Sequence, residues 1–159
     1  MFEEAEDSGF AYYTRFFRTG NGAVPRARTP GLLTPVGSFS ILTLPGDCET
    51  WSVTLYAASA DAPLKAFRHP DRWEAVVRAC PQHAHWLDGE PISEMTIMAG
   101  VLDRRRRLSQ EGRPAATGVV LVADSWACTN PSLARGLAFG FDHAARLRDA
   151  GKPFAEQAA

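Results

Sequence analysis

The sequence is short of several things at once, and each shortage removes a class of protein. Three cysteines in 159 residues, with no Cys-x-x-Cys pair among them, are too few for a disulfide scaffold. No apolar run approaches the roughly 20 residues that a bilayer-spanning helix needs. The start, Met1-Phe2-Glu3-Glu4-Ala5-Glu6-Asp7, has neither the positive charge nor the apolar stretch of a signal or transit peptide, so a cytoplasmic protein with reduced thiols is expected. The net charge of −1 argues against a bulk nucleic-acid binder. Internal repeats, low-complexity tracts and linkers between unlike compositions are also missing. With 45% hydrophobic and 22% charged residues, the chain has the make-up of one ordinary folded domain.

The densest group of metal-ligating types is Cys80-Pro81-Gln82-His83-Ala84-His85, with His69 upstream. Thiolate and imidazole suit zinc, but this spacing fits no zinc pattern, and no metal site is expected. Cys48, Cys80 and Cys128 read as small buried hydrophobes.

Three strands are predicted first. Residues 11–18 are rich in β-formers, with Tyr13, Arg15 and Phe17 on one face and Tyr12, Thr14, Phe16 and Arg18 on the other. Neither face is clearly polar, which suits a sheet covered on both sides, or covered on one and facing a ligand on the other. Residues 19–37, with Gly20-Asn21-Gly22, Pro25, Pro30 and Pro35, read as a loop. Strands over 38–44 and 51–56 follow, joined at Pro45-Gly46-Asp47, and together the three suggest an antiparallel meander. A helix is predicted at about 70–80, where Trp73, Val76, Val77 and Cys80 fall at helical spacing and Pro81 ends it. A further strand is expected over 92–102. The arginines Arg104 to Arg107 read as a phosphate-binding edge or a solvated strand end rather than a nucleic-acid patch.

The most informative stretch is 112–151. After a turn at Gly112-Arg113-Pro114, the β-branched run Gly118-Val119-Val120-Leu121-Val122-Ala123 reads as a strand buried on both faces. It ends in Asp124. A short loop leads to Asn130-Pro131, where Asn130 can cap a helix and Pro131 can take its first position. Leu137, Phe141, Ala144 and Leu147 form one stripe of that helix, which Gly151 ends with Pro153 just beyond. Gly136 and Gly140 each cost about 1 kcal/mol relative to alanine inside a helix. Four residues apart, they open one face to another backbone or a flat ligand. An acid at the carboxyl end of a buried strand stands where α/β sheets bind ligands, and the adjacent helix start offers free N–H groups.

The stretch from Asp103 through Gly136 resembles the second flavin-binding motif of FAD-dependent oxidoreductases. That group includes the aromatic-hydroxylase-type flavoprotein monooxygenases, with flavin halogenases and geranylgeranyl reductases as relatives. Its motif is a hydrophobic strand, Gly-Asp-Ala, a short loop, Pro, two residues, and Gly-x-Gly opening a helix. The resemblance implies that Asp124 binds the ribityl chain of FAD and that Pro131 lies beside the isoalloxazine ring. It likewise implies that Ala134, Arg135, Gly136 and Leu137 form the turn whose N–H groups face the flavin pyrimidine edge. Three places depart from the pattern: Ala123 and Ala134 stand where the motif has glycine, the bulkier Ser125-Trp126 stands where it has small residues, and an alanine at Ala134 strains a positive-φ backbone. The family's opening Gly-x-Gly-x-x-Gly turn has no counterpart, since Gly20-Asn21-Gly22 is followed by Pro25 and Pro30 rather than by a helix.

The resemblance implies an α+β fold: over 1–102 mainly an antiparallel substrate-domain sheet with a helix, then over 103–159 the final strand–loop–helix of an FAD-binding domain. It implies an FAD-dependent oxidoreductase, a monooxygenase that oxidises a small organic substrate through a flavin hydroperoxide, with NAD(P)H as candidate electron donor. No acid, base or nucleophile is assigned, because the cofactor carries the chemistry. Tyr13, Phe17 and Trp51 are candidates for a pocket wall, with the core as the alternative. The missing turn gives the expectation of a truncated chain, with exposed apolar patches or self-association. The competing readings are a non-catalytic fragment and a small-molecule binding module without flavin.

Overall fold

A computed structural model describes residues 1–20 and 23–150. Its strands are β1 Phe2–Asp7, β2 Phe10–Arg18, β3 Leu33–Val36, β4 Phe39–Pro45, β5 Thr50–Ala58, β6 Glu90–Pro91, β7 Thr96–Ala99, β8 Leu102–Arg107, β9 Ser109–Gln110, β10 Arg113–Pro114 and β11 Ala127–Cys128. Its α-helices are α1 Pro70–Arg78 and α2 Gly136–Asp149. Strands pair antiparallel throughout, so the class is α+β. The chain divides into two compact units, Gly9–Gly100 and Met1–Ser8 with Val101–Ala159. No described helix is long and apolar enough to cross a membrane. The expectations placed on Asn21, Gly22, Gly151 and Pro153 lie outside the described residues.

In the 9–100 unit the sheet order is β3-β4-β5-β2-β6, with β7 also pairing β2. This corrects the simple meander: β2 pairs with β5 and not with β4, which follows it in the predicted order. It also corrects the loop over 19–37, because Leu33–Val36 forms an edge strand on β4. Pro35 is tolerated there, since an edge strand has a side on which no donor is needed.

Over 51–55 every residue of β5 is buried, so both faces of the sheet are covered there, one of them by apolar side chains alone. Trp51, Val53 and Leu55 are fully buried together with Ile41, Tyr13 and Phe17, and α1 lays Trp73 and Val77 into the same cluster. Two buried indoles keep their donors satisfied, as burial requires: Trp73 Nε1 donates to Tyr13 O and Trp51 Nε1 to Trp86 O, each at 2.9 Å. Phe17 stacks on Trp51 and Trp73 at 6.0 and 6.2 Å between centroids. Tyr13, Phe17 and Trp51 are therefore core residues, with Trp51 also backing a groove beside Arg26 and His85. The other face carries Tyr12, Thr14, Phe16, Thr54 and Tyr56, with the Thr14 and Thr54 hydroxyls 2.8 Å apart, and Phe16 is exposed there.

The strand predicted over 92–102 breaks at Gly100, whose φ is +66°. Thr96–Ala99 stays in this sheet, while Leu102–Arg107 becomes the middle strand of a second one, ordered β1-β8-β11. The arginine run is thus in the middle strand of a sheet rather than at an edge or end, with Arg105 and Arg107 still exposed to solvent. It is paired residue for residue with the acidic start, Glu3 opposite Arg106 and Glu4 opposite Arg105. Glu3 bridges Arg106 at 2.7 Å and Arg104 at 3.9 Å, and Glu4 bridges Arg107.

Candidate functional site

The predicted strand over 118–123 does not form. Val119 and Val120 are 56% and 39% exposed, and none of the described strands pairs with this run. A β-branched sequence favours extended backbone, but a strand also needs a ladder partner. Residue 122 is extended, with φ −130° and ψ 152°, and the chain then turns sharply through Ala123–Ser125, a single 3₁₀ turn. Ser125 ties this turn to Val122, its hydroxyl accepting from the Val122 N–H at 2.8 Å and donating to the Val122 carbonyl.

The helix also begins later than predicted. Asn130 does cap, accepting from the Ser132 N–H at 2.9 Å, but what it caps is one 3₁₀ turn, Pro131–Leu133. Ala134 then takes the left-handed conformation, φ +51° and ψ 30°, with its N–H on the Pro131 carbonyl at 3.0 Å. Helical geometry cannot pass through such a residue, so α2 starts at Gly136 with Arg135 as its N-cap. No side chain caps that end, which leaves first-turn N–H groups for another partner.

The stripe of Leu137, Phe141 and Leu147 is not the packed face of α2; these residues are 77%, 72% and 42% exposed. The packed face is Gly136, Phe139, Gly140 and His143. A Cβ on Gly136 would lie 3.4 Å from Asp124 Oδ1, and one on Gly140 would lie 3.4 Å from the Ala123 Cβ. Both distances stand at the edge of ordinary van der Waals contact, so the Ala123–Asp124 turn packs directly on this face of the helix. Trp126 completes the contact, edge-on to His143 at 5.2 Å and to Phe139 at 6.4 Å. Sequence reading notes Trp126 only as a bulky departure from the motif and passes over Phe139 and His143. Their spacing, with 139 and 143 one turn apart on a helix, is the available signal.

Of the residues assigned from the motif, Asp124 and Gly136 are therefore adjacent, and Ala134 and Arg135 form the link that delivers the chain to the helix start. Pro131 opens the preceding turn, and Leu137 projects from the first turn into solvent. The Asp124 carboxylate is exposed and makes no hydrogen bond or ion pair among the described residues. Its backbone carbonyl accepts from Arg106 Nη1 at 2.9 Å, and the Ala123 N–H donates to His143 Nδ1 at 3.0 Å. Ala123 and Ala134, the two positions where the motif has glycine, both have positive φ, +50° and +51°. A groove of about 490 Å³ in the same unit is lined by Arg104, Cys128, Thr129, Asn130 and Arg135.

The remaining candidates stay dispersed. Among the described residues no three His, Cys, Asp or Glu side chains converge on a metal position. His83 is buried with neither ring nitrogen bonded among the described residues, and burial, then neighbouring His85, pulls its pKa below the ordinary 6.5. The expectation of buried thiols fails for Cys48, which is exposed in the β4–β5 turn at φ +47°. Cys80 and Cys128 are half-buried, and burial raises the pKa of the Cys80 thiol.

No family model matches the sequence, and no curated protein matches it significantly. Solved structures do match. BrvH, a flavin-dependent halogenase from Brevundimonas sp. BAL3, aligns with a TM-score of 0.57 and 17% identity over 94% of this chain and 27% of its own. The flavin-dependent brominase Bmp2 aligns at 0.55 and 15% over 93% and 37%. CmlS, a flavin-dependent halogenase, aligns at 0.51 and 12% over 87% and 24%. The chain has the fold of the matching part of these proteins, and it spans about a quarter to two-fifths of their length.

Proposed function

We propose that the chain serves a flavin-dependent oxidoreductase, a monooxygenase acting on a small organic substrate with FAD as cofactor and NAD(P)H as electron donor. The observation that carries this reading is the free carboxylate of Asp124 against the uncapped start of α2. A carboxylate accepts hydrogen bonds and cannot donate them, which suits the hydroxyls of a ribityl chain. The first-turn N–H groups donate, which suits the carbonyl-bearing edge of an isoalloxazine ring. Gly136 and Gly140 fit such a cradle because a side chain at either would meet the 123–124 turn.

In this proposal the bound flavin supplies the redox chemistry, and the chain's residues bind and orient it. Asp124 holds the polyol, Pro131 flanks the ring, and the 134–137 backbone addresses the pyrimidine edge. The second face of the 9–100 sheet, where Tyr12 and Tyr56 are half-buried in edge contact at 5.2 Å and Phe16 is exposed, offers a small aromatic substrate ring surface.

Titration of the full chain with FAD, followed by flavin fluorescence, tests the reading. Asp124→Ala is expected to abolish saturable binding while leaving the melting temperature within a few degrees of the parent, because an exposed side chain contributes little to stability. Unchanged FAD binding in that variant would overturn the assignment. Absence of flavin binding, together with saturable binding of another small molecule, would favour a binding module instead.

A further inference from the structure

Asp124 sits in a turn that the local sequence does not favour. Ala123 is left-handed at φ +50°, a conformation that costs an ordinary residue roughly 1–2 kcal/mol. The run before it has no ladder partner among the described strands. Within the turn the Ser125 hydroxyl bonds Val122 and the Trp126 N–H donates to the Ala123 carbonyl at 3.0 Å, and two groups from other elements hold the dipeptide from outside. At its amino end, the Ala123 N–H donates to His143 Nδ1 on α2 at 3.0 Å. At its carboxyl end, the Asp124 carbonyl accepts from Arg106 Nη1 on β8 at 2.9 Å. Arg106 is fixed in turn, since its Nε donates to Glu3 Oε2 on β1 at 2.7 Å while its own backbone N–H donates to the Trp126 carbonyl at 2.8 Å. Its side chain is 20% exposed, the least of the ion-paired arginines.

The chemistry of the clamp matters as much as its position. A guanidinium next to an aspartate would ordinarily be spent on the carboxylate. Here the fork divides between Glu3 and a main-chain oxygen, so the Asp124 carboxylate stays free. We propose that Glu3, Arg106 and His143 are positioning residues. They grip the Ala123–Asp124 dipeptide at both ends and present the carboxylate, unneutralised, to the flavin. The last clause rests on the functional reading above; the clamp itself does not. Lysine cannot replace Arg106, because one ammonium on a flexible stem lacks the rigid fork that reaches both acceptors.

The test uses the full chain with Arg106→Lys, His143→Phe, Asp124→Asn, the double variant Arg106→Lys/Asp124→Asn, and Arg107→Lys as control on the same strand. Two readouts are taken, amide hydrogen exchange at Ala123 without ligand and FAD affinity by fluorescence. Exchange at Ala123 is expected to accelerate about tenfold or more in His143→Phe and Arg106→Lys and to stay at the parent rate in Arg107→Lys, as loss of one hydrogen bond predicts. FAD affinity should fall about tenfold in each clamp variant, with no further fall when Arg106→Lys is added to Asp124→Asn, because residues acting through one group are not additive. A merely structural arginine would weaken the double variant further. An Ala123 amide that exchanges freely in the parent, or one unaffected by His143→Phe and Arg106→Lys, overturns the clamp whatever happens with flavin. A protected, clamp-dependent Ala123 in a chain whose FAD affinity ignores Asp124→Asn leaves the clamp standing and overturns the flavin reading.

Discussion

The sheet-and-helix unit over 9–100 and the turn-and-helix region over 102–149 are held by different forces. In the first, Trp51, Val53, Leu55, Ile41, Trp73 and Val77 are at most 1% exposed, and stability comes from apolar burial and close packing. In the second, Ala127 is the one residue that reaches the buried class among those described. Its cohesion comes from a charged strand ladder, an arginine bridging two acceptors, a capped 3₁₀ turn and a three-ring contact around Trp126. Apolar burial is non-directional and tolerant, whereas hydrogen bonds and ion pairs fix particular atoms at particular places. The region that carries Asp124 beside the start of α2 is built from the directional interactions, at the expense of local stability.

The largest effect that follows from this contrast is at α1. Trp73→Ala removes a fully buried indole that stacks on Phe17 and donates to the Tyr13 carbonyl. Loss of about 3–5 kcal/mol is expected from the cavity, enough to leave the 9–100 unit largely unfolded in a marginal domain. Urea denaturation followed by tryptophan fluorescence measures it. A loss under about 1 kcal/mol would mean that the sheet does not depend on its aromatic layer, and the contrast between the regions would collapse.

The same contrast explains what can be read from sequence. Strands 10–18, 39–45 and 50–58 and the helix at 70–78 follow local periodicity, and burial enforces that periodicity. Their boundaries differ from the expected ones by only a few residues. The 102–149 region defeats local reading because its partners are remote. Nothing near Arg106 announces Glu3, a hundred residues earlier, as its partner. Val119–Val122 has the composition of a core strand, but strand formation depends on a neighbour that composition cannot supply. The apolar stripe of α2 is a real stripe, yet the packed side is the one with Gly136 and Gly140, because backbone approach, not apolar area, decides it. The site residues themselves come from the resemblance to the flavin-binding motif, whose order of Asp, Pro and Gly marks a turn geometry rather than a secondary-structure type.

An intermediate effect sharpens the comparison through pH. His83 belongs to the tightly packed unit, is 2% exposed and has no bond to either ring nitrogen among the described residues. Burial, with His85 beside it, lowers its pKa below 6.5. The unfolded chain therefore takes up a proton at a higher pH than the folded one does. The contribution of His83 is complete above pH 6.5 and is lost as pH falls from there towards the lowered folded value. Urea midpoints recorded from pH 8 to pH 5 should fall on the acid side in the parent and fall less in His83→Leu. An equal fall in both would assign the acid sensitivity elsewhere and remove the packed unit's one buried, unbonded imidazole from the account.

The smallest effect bears most directly on the candidate site. Ala134 and Ala123 both hold left-handed backbone, and glycine adopts that conformation without the Cβ clash. Against this gain, glycine raises the entropy of the unfolded chain by about 0.4–1 kcal/mol. The balance for Ala134→Gly or Ala123→Gly is a stabilisation of about 0.5–1 kcal/mol, since the left-handed penalty of roughly 1–2 kcal/mol outweighs the entropy cost. In the sheet unit the same kind of change would act oppositely: Ala57, buried in β5, is in extended backbone that alanine tolerates, so Ala57→Gly should destabilise by about 0.5–1 kcal/mol. Thermal melts of the three single variants decide the point. If Ala134→Gly and Ala123→Gly also lower the melting temperature, these two residues are not strained, and the backbone geometry that links this chain to a glycine-bearing flavin motif loses its physical basis.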